Sequence, residues 1–75
     1  MNVFSKAIRI GEDITTRVYG WPADQDRRRP TVYVAFHYYP LDTNITMSTA
    51  DARELASTLL KAAEAAEKSQ EEEAA

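Results

Sequence analysis

The stretch that decides the fold lies at residues 31–39, which read Thr-Val-Tyr-Val-Ala-Phe-His-Tyr-Tyr between Pro30 and Pro40. Because β-branched and aromatic side chains fit a pleated, half-buried surface, this run predicts the central strand of a small sheet. Alternation places two sets of side chains on opposite faces of that strand: Val32, Val34, Phe36 and Tyr38 against Thr31, Tyr33, Ala35, His37 and Tyr39. Neither face is plainly polar, so we expect both to be covered.

The length and composition limit how such a strand can be stabilised. A chain of 75 residues makes one domain, and in domains of this size disulfides, a metal or oligomerisation commonly add stability. The chain has no cysteine and a single histidine, His37, which excludes disulfides and argues against thiolate or imidazole-rich metal sites. We therefore expect no metal, no cofactor, and self-association as the remaining source of stability.

The charge of the chain is unevenly distributed. Of the twelve acidic residues, Glu71, Glu72 and Glu73 account for the net charge of −3, and residues 1–70 are balanced between nine acidic and nine basic side chains. The folded part therefore has no overall attraction for nucleic acid or an anionic membrane. No apolar run approaches the roughly 20 residues that span a bilayer, and residues 1–6 lack a signal-peptide core. We expect a cytoplasmic protein that binds no membrane.

Two strands are predicted before the central one. Residues 3–10 and 14–19 suit strands, and Gly11-Glu12-Asp13 between them has the length and composition of a hairpin loop. Pro22 and Pro30 mark strand ends because proline cannot donate to a sheet ladder. A turn cluster at residues 40–44 and a brief extended piece at 45–47 follow the central strand.

A long helix is predicted over residues 48–68. Ser48 or Thr49 can cap it, and Asp51 follows Ser48 by three positions, as in a shortened capping box. Apolar side chains recur at spacings of three and four and form one stripe: Ala52, Leu55, Ala56, Leu59, Ala63 and Ala66. We expect this stripe to cover the strand face that carries Val32.

Together these elements predict an α+β fold, with a small antiparallel sheet of three to four strands in β-β-β-α order packed by one C-terminal helix. Residues 1–68 are expected to form the single domain. Residues 69–75 are expected to be an acidic fraying helix end or disordered tail, since glutamates near a helix C-terminus oppose the macrodipole. The alanine-rich stripe buries little area, which again favours a partner surface.

Residues 45–55, which read Ile-Thr-Met-Ser-Thr-Ala-Asp-Ala-Arg-Glu-Leu, resemble the strand-to-helix junction of the dimerisation domain of Lsr-type nucleoid-associated proteins. The shared pattern is Ile-x-Leu-Ser-Thr-x-Asn-Ala-x-x-Leu after a β-hairpin, although the preceding hairpin does not match. The helix also resembles those of short uncharacterised proteins from actinobacteria and their phages. The resemblance implies a hairpin-plus-helix fold that dimerises through its sheet. It does not imply DNA binding, because we expect no DNA-binding module after the helix.

Arg27, Arg28 and Arg29 form the only concentrated basic patch. On a loop near aromatic rings they could bind phosphates while bases stack on the rings. Asp24 and Asp26 precede them and would cancel much of their field, so a solvated loop is the simpler interpretation. Nucleic-acid binding through this loop is the alternative function that the sequence leaves open.

His37 lies in the middle of the predicted strand. As a catalytic base it would need an orienting carboxylate and a nucleophile nearby, and the sequence offers no recognisable arrangement of them. A pocket of about 300 Å³ is also difficult to build from one helix and three or four strands, unless a dimer seam forms it. We expect no enzyme, and interpret His37 as an interface histidine or a pH-sensitive dimer contact.

The aromatic side chains are the best candidates for a binding role, since tyrosine and tryptophan concentrate at interfaces. If the helix covers the Val32 face, the opposite face of the central strand stays uncovered. The predicted protein interface is therefore Trp21, Tyr33, His37 and Tyr39. The leading hypothesis is a non-enzymatic interaction module, a homodimer that acts by binding another protein, and a phage-encoded modulator of a host protein fits this description.

Overall fold

The computed structural model describes residues 2–25 and 28–74, with side chains through residue 70. Four strands precede one helix: β1 Phe4–Ile10, β2 Ile14–Trp21, β3 Thr31–Tyr38, β4 Leu41–Ser48 and α1 Thr49–Ala74. The strands form one antiparallel sheet in the order β1-β2-β3-β4, so each strand pairs with its neighbour in the chain. The predicted α+β class, with a small antiparallel sheet before a C-terminal helix, is confirmed.

The first hairpin turns where the sequence predicts it. Residues 11–13 form the turn, and Gly11 has a φ of 66°, in the left-handed region that side chains with a Cβ rarely adopt. Strand β2 continues past its predicted end at Tyr19 to Trp21. Gly20 allows this continuation beside β1, because a Cβ at this position would lie only 3.3 Å from the Cβ of Phe4.

Strand β4 is longer than predicted. The sequence predicts a turn cluster at residues 40–44, but β4 pairs with β3 over its full length, from Leu41 opposite Tyr38 to Ser48 opposite Thr31. Aspartate and asparagine disfavour strands in isolation, and the ladder to β3 overrides that preference by satisfying the backbone groups. The turn is therefore shorter than predicted and consists of Tyr39 and Pro40, which are joined by a cis peptide bond. Tyr39 therefore lies in the turn, and its predicted place on the strand face beside Tyr33 is wrong.

The register divides the sheet into two faces of different character. The first, called the apolar face below, carries these side chains: Phe4, Lys6, Ile8, Ile10, Ile14, Thr16, Val18, Val32, Val34, Phe36, Tyr38, Leu41, Thr43, Ile45 and Met47. The second, called the mixed face, carries these: Ser5, Ala7, Arg9, Thr15, Arg17, Tyr19, Trp21, Thr31, Tyr33, Ala35, His37, Asp42, Asn44, Thr46 and Ser48. The predicted division of β3 between two faces is confirmed along Thr31–Tyr38.

Helix α1 begins directly at the end of β4. The Asp51 N–H donates a hydrogen bond of 3.1 Å to Ser48 Oγ, so Ser48 is the N-cap, one of the two residues that the sequence offers for this role. A chain that reverses over its own sheet needs a connection of several residues, and none separates Ser48 from Thr49. Among the described residues, α1 contacts β3 and β4 but neither β1 nor β2.

The helix consequently does not cover the Val32 face, and that prediction is wrong. The stripe residues Leu55 and Leu59 are 47% and 61% exposed, and Tyr38 on the sheet is 47% exposed. Among residues 49–70, Ala52 is half-buried and every other residue is exposed. Helix α1 runs to Ala74, so residues 69–74 continue it; Ala75 lies outside the described residues, and the boundary of the domain at residue 68 stays a prediction.

The single chain is extended and has very little core. Its radius of gyration is 15.8 Å, against about 11 Å for a compact chain of this length. Its dimensions are 56 × 30 × 16 Å, and its accessible surface is 6545 Å², against about 4,700 Å² for a compact monomer of this size. In the described part of the chain, Ala35 and Thr16 are the only buried side chains.

Candidate interaction surfaces

The apolar face is uncovered in the single chain. Its outer strands and the β3–β4 end carry large side chains whose exposed fractions run from 44% at Ile8 to 69% at Leu41. The exposed members of this face are Phe4, Ile8, Ile10, Tyr38, Leu41 and Ile45. Lys6 is the one charged side chain on this face, and it lies on the edge strand β1. No large apolar side chain of the mixed face is comparably exposed within the described residues.

Thr16 occupies the middle of the apolar face, opposite Ile8 on β1 and Phe36 on β3. It is 2% exposed, and its Oγ1 has no hydrogen-bond partner among the described residues. A buried hydroxyl without a partner costs about 1–3 kcal/mol relative to one that is satisfied. The centre of this face is thus closed to water, while the side chains around it remain half-exposed.

The mixed face contains an aromatic hollow lined by Tyr19, Trp21, Tyr33 and Thr46, with a volume of about 350 Å³. Tyr19 and Tyr33 are directly opposite each other on β2 and β3, and their ring centroids lie 5.8 Å apart at an interplanar angle of 43°. Aromatic pairs at this separation stabilise each other by about 0.5–1.5 kcal/mol beyond the area they bury. Trp21 follows Tyr19 by two positions on the same face, and Thr46 faces Tyr33 from β4.

The structure brings together only part of the predicted interface. Trp21 and Tyr33 line the hollow, joined by Tyr19 and Thr46, which sequence reasoning missed. The spacing of Tyr19 and Trp21 at i and i+2 was a usable signal, because such residues share a strand face. Tyr39 is 95% exposed in the turn and lies apart from the hollow.

His37 lies on the mixed face, four residues from Tyr33 and so about 13 Å along the strand. Its Nδ1 is 3.1 Å from Asp42 Oδ1, the residue directly opposite on β4, and the two side chains are 48% and 72% exposed. Exposed pairs of this kind contribute between zero and about 1 kcal/mol. The pair lies at the end of the β3–β4 hairpin. It is on the mixed face, on the other side of the sheet from the exposed apolar side chains.

The arginine loop joins β2 to β3 at the end of the sheet where Trp21 lies. Arg28 and Arg29 are exposed, and Arg27 lies outside the described residues. The loop thus places at least two guanidinium groups in the segment that connects two strands of the aromatic hollow.

Other features bear on the class of protein. Within the side chains of residues 2–25 and 28–70, no three histidine, aspartate or glutamate groups cluster as metal ligands would. The described helix is too polar to cross a membrane. No protein-family model, curated protein or solved structure matches this chain. The resemblance to the Lsr-type dimerisation domain stays a prediction.

Proposed function

We propose that this protein is a non-enzymatic interaction module that works in the cytoplasm as a homodimer and binds another protein. The observation that supports this proposal is the apolar face, where large side chains remain 44–69% exposed in the single chain. Monomeric proteins rarely expose contiguous apolar patches larger than a few hundred Å². Association of two copies through this face removes it from water and leaves the mixed face accessible.

The surface area of the chain is consistent with this role. The accessible surface of 6545 Å² exceeds that of a compact monomer of equal size by about 1,900 Å². Obligate homodimers bury about 1,000–2,500 Å² on each subunit. The excess is therefore of the size that one such interface removes, and a dimer would also supply the core that Ala35 and Thr16 alone do not form.

The aromatic hollow supports the second half of the proposal. Trp21 and Tyr33 are residue types that dominate binding energy at protein interfaces, because they present a large and rigid surface with a polar tip. Arg28 and Arg29 are exposed on the adjoining loop, which also carries Asp24, and add polar hydrogen-bonding groups at the same end of the sheet. These features favour a partner segment that combines apolar and polar side chains. A phage-encoded modulator of a host protein is one role that fits.

Mass measurement by sedimentation equilibrium tests the homodimer. We expect twice the chain mass at micromolar concentration. Ile45→Lys, which places a charge on the apolar face, should shift the protein to monomer. Asn44→Lys is the matched control, since Asn44 is adjacent, exposed and on the mixed face, and it should leave the dimer intact. A wild-type chain that is folded by circular dichroism and monomeric at these concentrations would contradict the proposal.

Nucleic-acid binding remains the alternative function, supported by the exposure of Arg28 and Arg29 next to the strand that ends at Trp21. It predicts retardation of duplex or single-stranded probes that weakens steeply with salt. Replacing Arg27, Arg28 and Arg29 by alanine should then abolish the retardation without unfolding the domain. Absence of retardation at low salt would remove this alternative.

A further inference from the structure

Helix α1 carries a second uncovered apolar surface. Leu55 and Leu59 of the helix stripe are 47% and 61% exposed, Leu60 at its margin is 63% exposed, and the stripe alanines after Ala52 are exposed with them. The helix leaves the end of β4 without a loop, and it does not return over its own sheet. The chain therefore holds two apolar surfaces, the helix stripe and the apolar face, that it does not bring together itself.

We infer that the helix stripe of each subunit packs on the apolar face of the partner subunit, so that the dimer forms by reciprocal exchange of helices. This inference rests on the proposed homodimer and specifies which surfaces meet in it. The dimensions agree: the stripe over residues 52–66 rises about 21 Å along the helix axis. Four adjacent strands span about 15 Å across the sheet. One crossing helix can therefore cover the width of the partner's sheet.

The side chains of the two surfaces are complementary in size and charge. Ala52, Ala56 and Ala63 allow the helix backbone to approach a sheet closely, and Leu55 and Leu59 can then pack against exposed side chains such as Ile8 and Ile45. Lys6 does not obstruct this contact, because it lies on the edge strand and its long aliphatic stem can carry the ammonium group past the edge into water.

An interface that uses only one of the two surfaces leaves the other in water. A dimer joined only through its apolar faces would leave both helix stripes exposed, and one joined only through its helix stripes would leave both apolar faces exposed. Helix exchange covers both surfaces of both subunits, and for this reason we infer it over the alternatives.

Cross-linking distinguishes the three arrangements, since the natural chain has no cysteine. One chain would carry a single cysteine on the apolar face, Ile8→Cys or Ile45→Cys, and a second chain, with a larger tag, a single cysteine at Leu55→Cys or Leu59→Cys. The two chains are refolded together from denaturant and treated with a short bismaleimide. Because each chain has one thiol, every link joins two subunits. The linker is flexible, so two cysteines can be joined when they are near each other without being in direct contact.

We expect sheet-to-helix links to exceed sheet-to-sheet and helix-to-helix links about fivefold for at least one pair, because short linkers require close cysteines. The matched controls are Ala7→Cys, beside Ile8 on the mixed face, and Lys61→Cys, on the helix side opposite the stripe; both should give background yields. Predominant sheet-to-sheet or helix-to-helix links would overturn helix exchange while leaving a dimer. A monomeric wild type would overturn both the exchange and the proposed function.

A second measurement does not depend on linker chemistry. Leu59→Lys should raise the dimer dissociation constant about 30-fold or more, the loss typical of a hot-spot side chain. Leu59 is exposed in the single chain, so the variant retains the strand pairing that builds the sheet. An unchanged dissociation constant for Leu59→Lys, together with a weakened Ile45→Lys dimer, would overturn helix exchange and retain the homodimer.

Discussion

The two faces of the sheet share one backbone and one register, yet they present different surfaces to water. On the apolar face, large aliphatic and aromatic side chains at the outer strands stay 44–69% exposed, although the centre at Thr16 is closed. On the mixed face, the rings of Tyr19 and Tyr33 form a pair with centroids 5.8 Å apart, and Trp21 lines the same hollow. A broad apolar surface suits a permanent contact, whereas a small aromatic hollow among polar groups suits a local one.

The largest expected effect comes from replacing Phe36 on the apolar face with alanine. If a second subunit covers this face, Phe36→Ala should lower the free energy of unfolding of the dimer by about 3 kcal/mol, the cost of emptying a buried phenylalanine site. Urea denaturation at fixed protein concentration measures it. His37→Ala, one residue along and on the mixed face, should change the free energy by less than about 0.5 kcal/mol. Equal effects at both positions would mean that the two faces do not differ in burial.

The aromatic hollow gives the next effect, on partner binding. Trp21→Ala or Tyr33→Ala should weaken binding to the partner protein by about 2 kcal/mol, as expected for hot-spot aromatics, and should leave the dimer mass unchanged. Calorimetry with a purified partner, first captured by the wild-type protein, measures the affinity. Thr15→Ala, on the same face and strand but away from the hollow, is the control and should bind normally. Loss of the dimer in Tyr33→Ala would contradict the separate use of the two faces.

A smaller effect is expected at the centre of the apolar face. Thr16→Val removes a buried hydroxyl that lacks a partner within the described residues, and should stabilise the protein by about 1 kcal/mol. Thermal unfolding at a fixed concentration measures the change. Thr15→Val makes the same replacement on the neighbouring position of the mixed face, where we expect a change within about 0.5 kcal/mol. A destabilised Thr16→Val would indicate that the hydroxyl has a partner in the dimer.

The smallest effect is expected at the exposed pair of the β3–β4 hairpin. Asp42→Asn removes the charge opposite His37 and should alter the free energy of unfolding by no more than about 0.5 kcal/mol, because both groups are in water. The dimer mass should not change, since the pair lies on the mixed face. Dissociation of the dimer in Asp42→Asn, measured by sedimentation, would instead support the interpretation of His37 as a dimer contact.

Local signals were reliable where neighbouring residues decide the structure. The alternation along β3, the turn at Gly11 and the cap at Ser48 all depend on residues within a few positions of one another. The spacing of Leu55 and Leu59 likewise predicted a helix with one apolar stripe. Each of these features was predicted from residue types and intervals, and each is present.

Pairing between distant residues decided the rest. The ladder from β3 turns Asp42 and Asn44 into strand residues, and the register of β2 against β3 brings Tyr19 to Tyr33. The spacing of residues along the chain does not encode these contacts, because they depend on which two strands pair and in which register.

The sequence by itself determined that this protein has a two-faced central strand and a capped helix with one apolar stripe. Only the tertiary structure decided which surface stays open. Because α1 leaves β4 without a loop, its stripe cannot turn back, and the Val32 face of the sheet remains uncovered beside it. The physical reason is the length of the connecting segment, because a helix can pack on its own sheet only if the loop between the last strand and the helix is long enough for the chain to reverse direction.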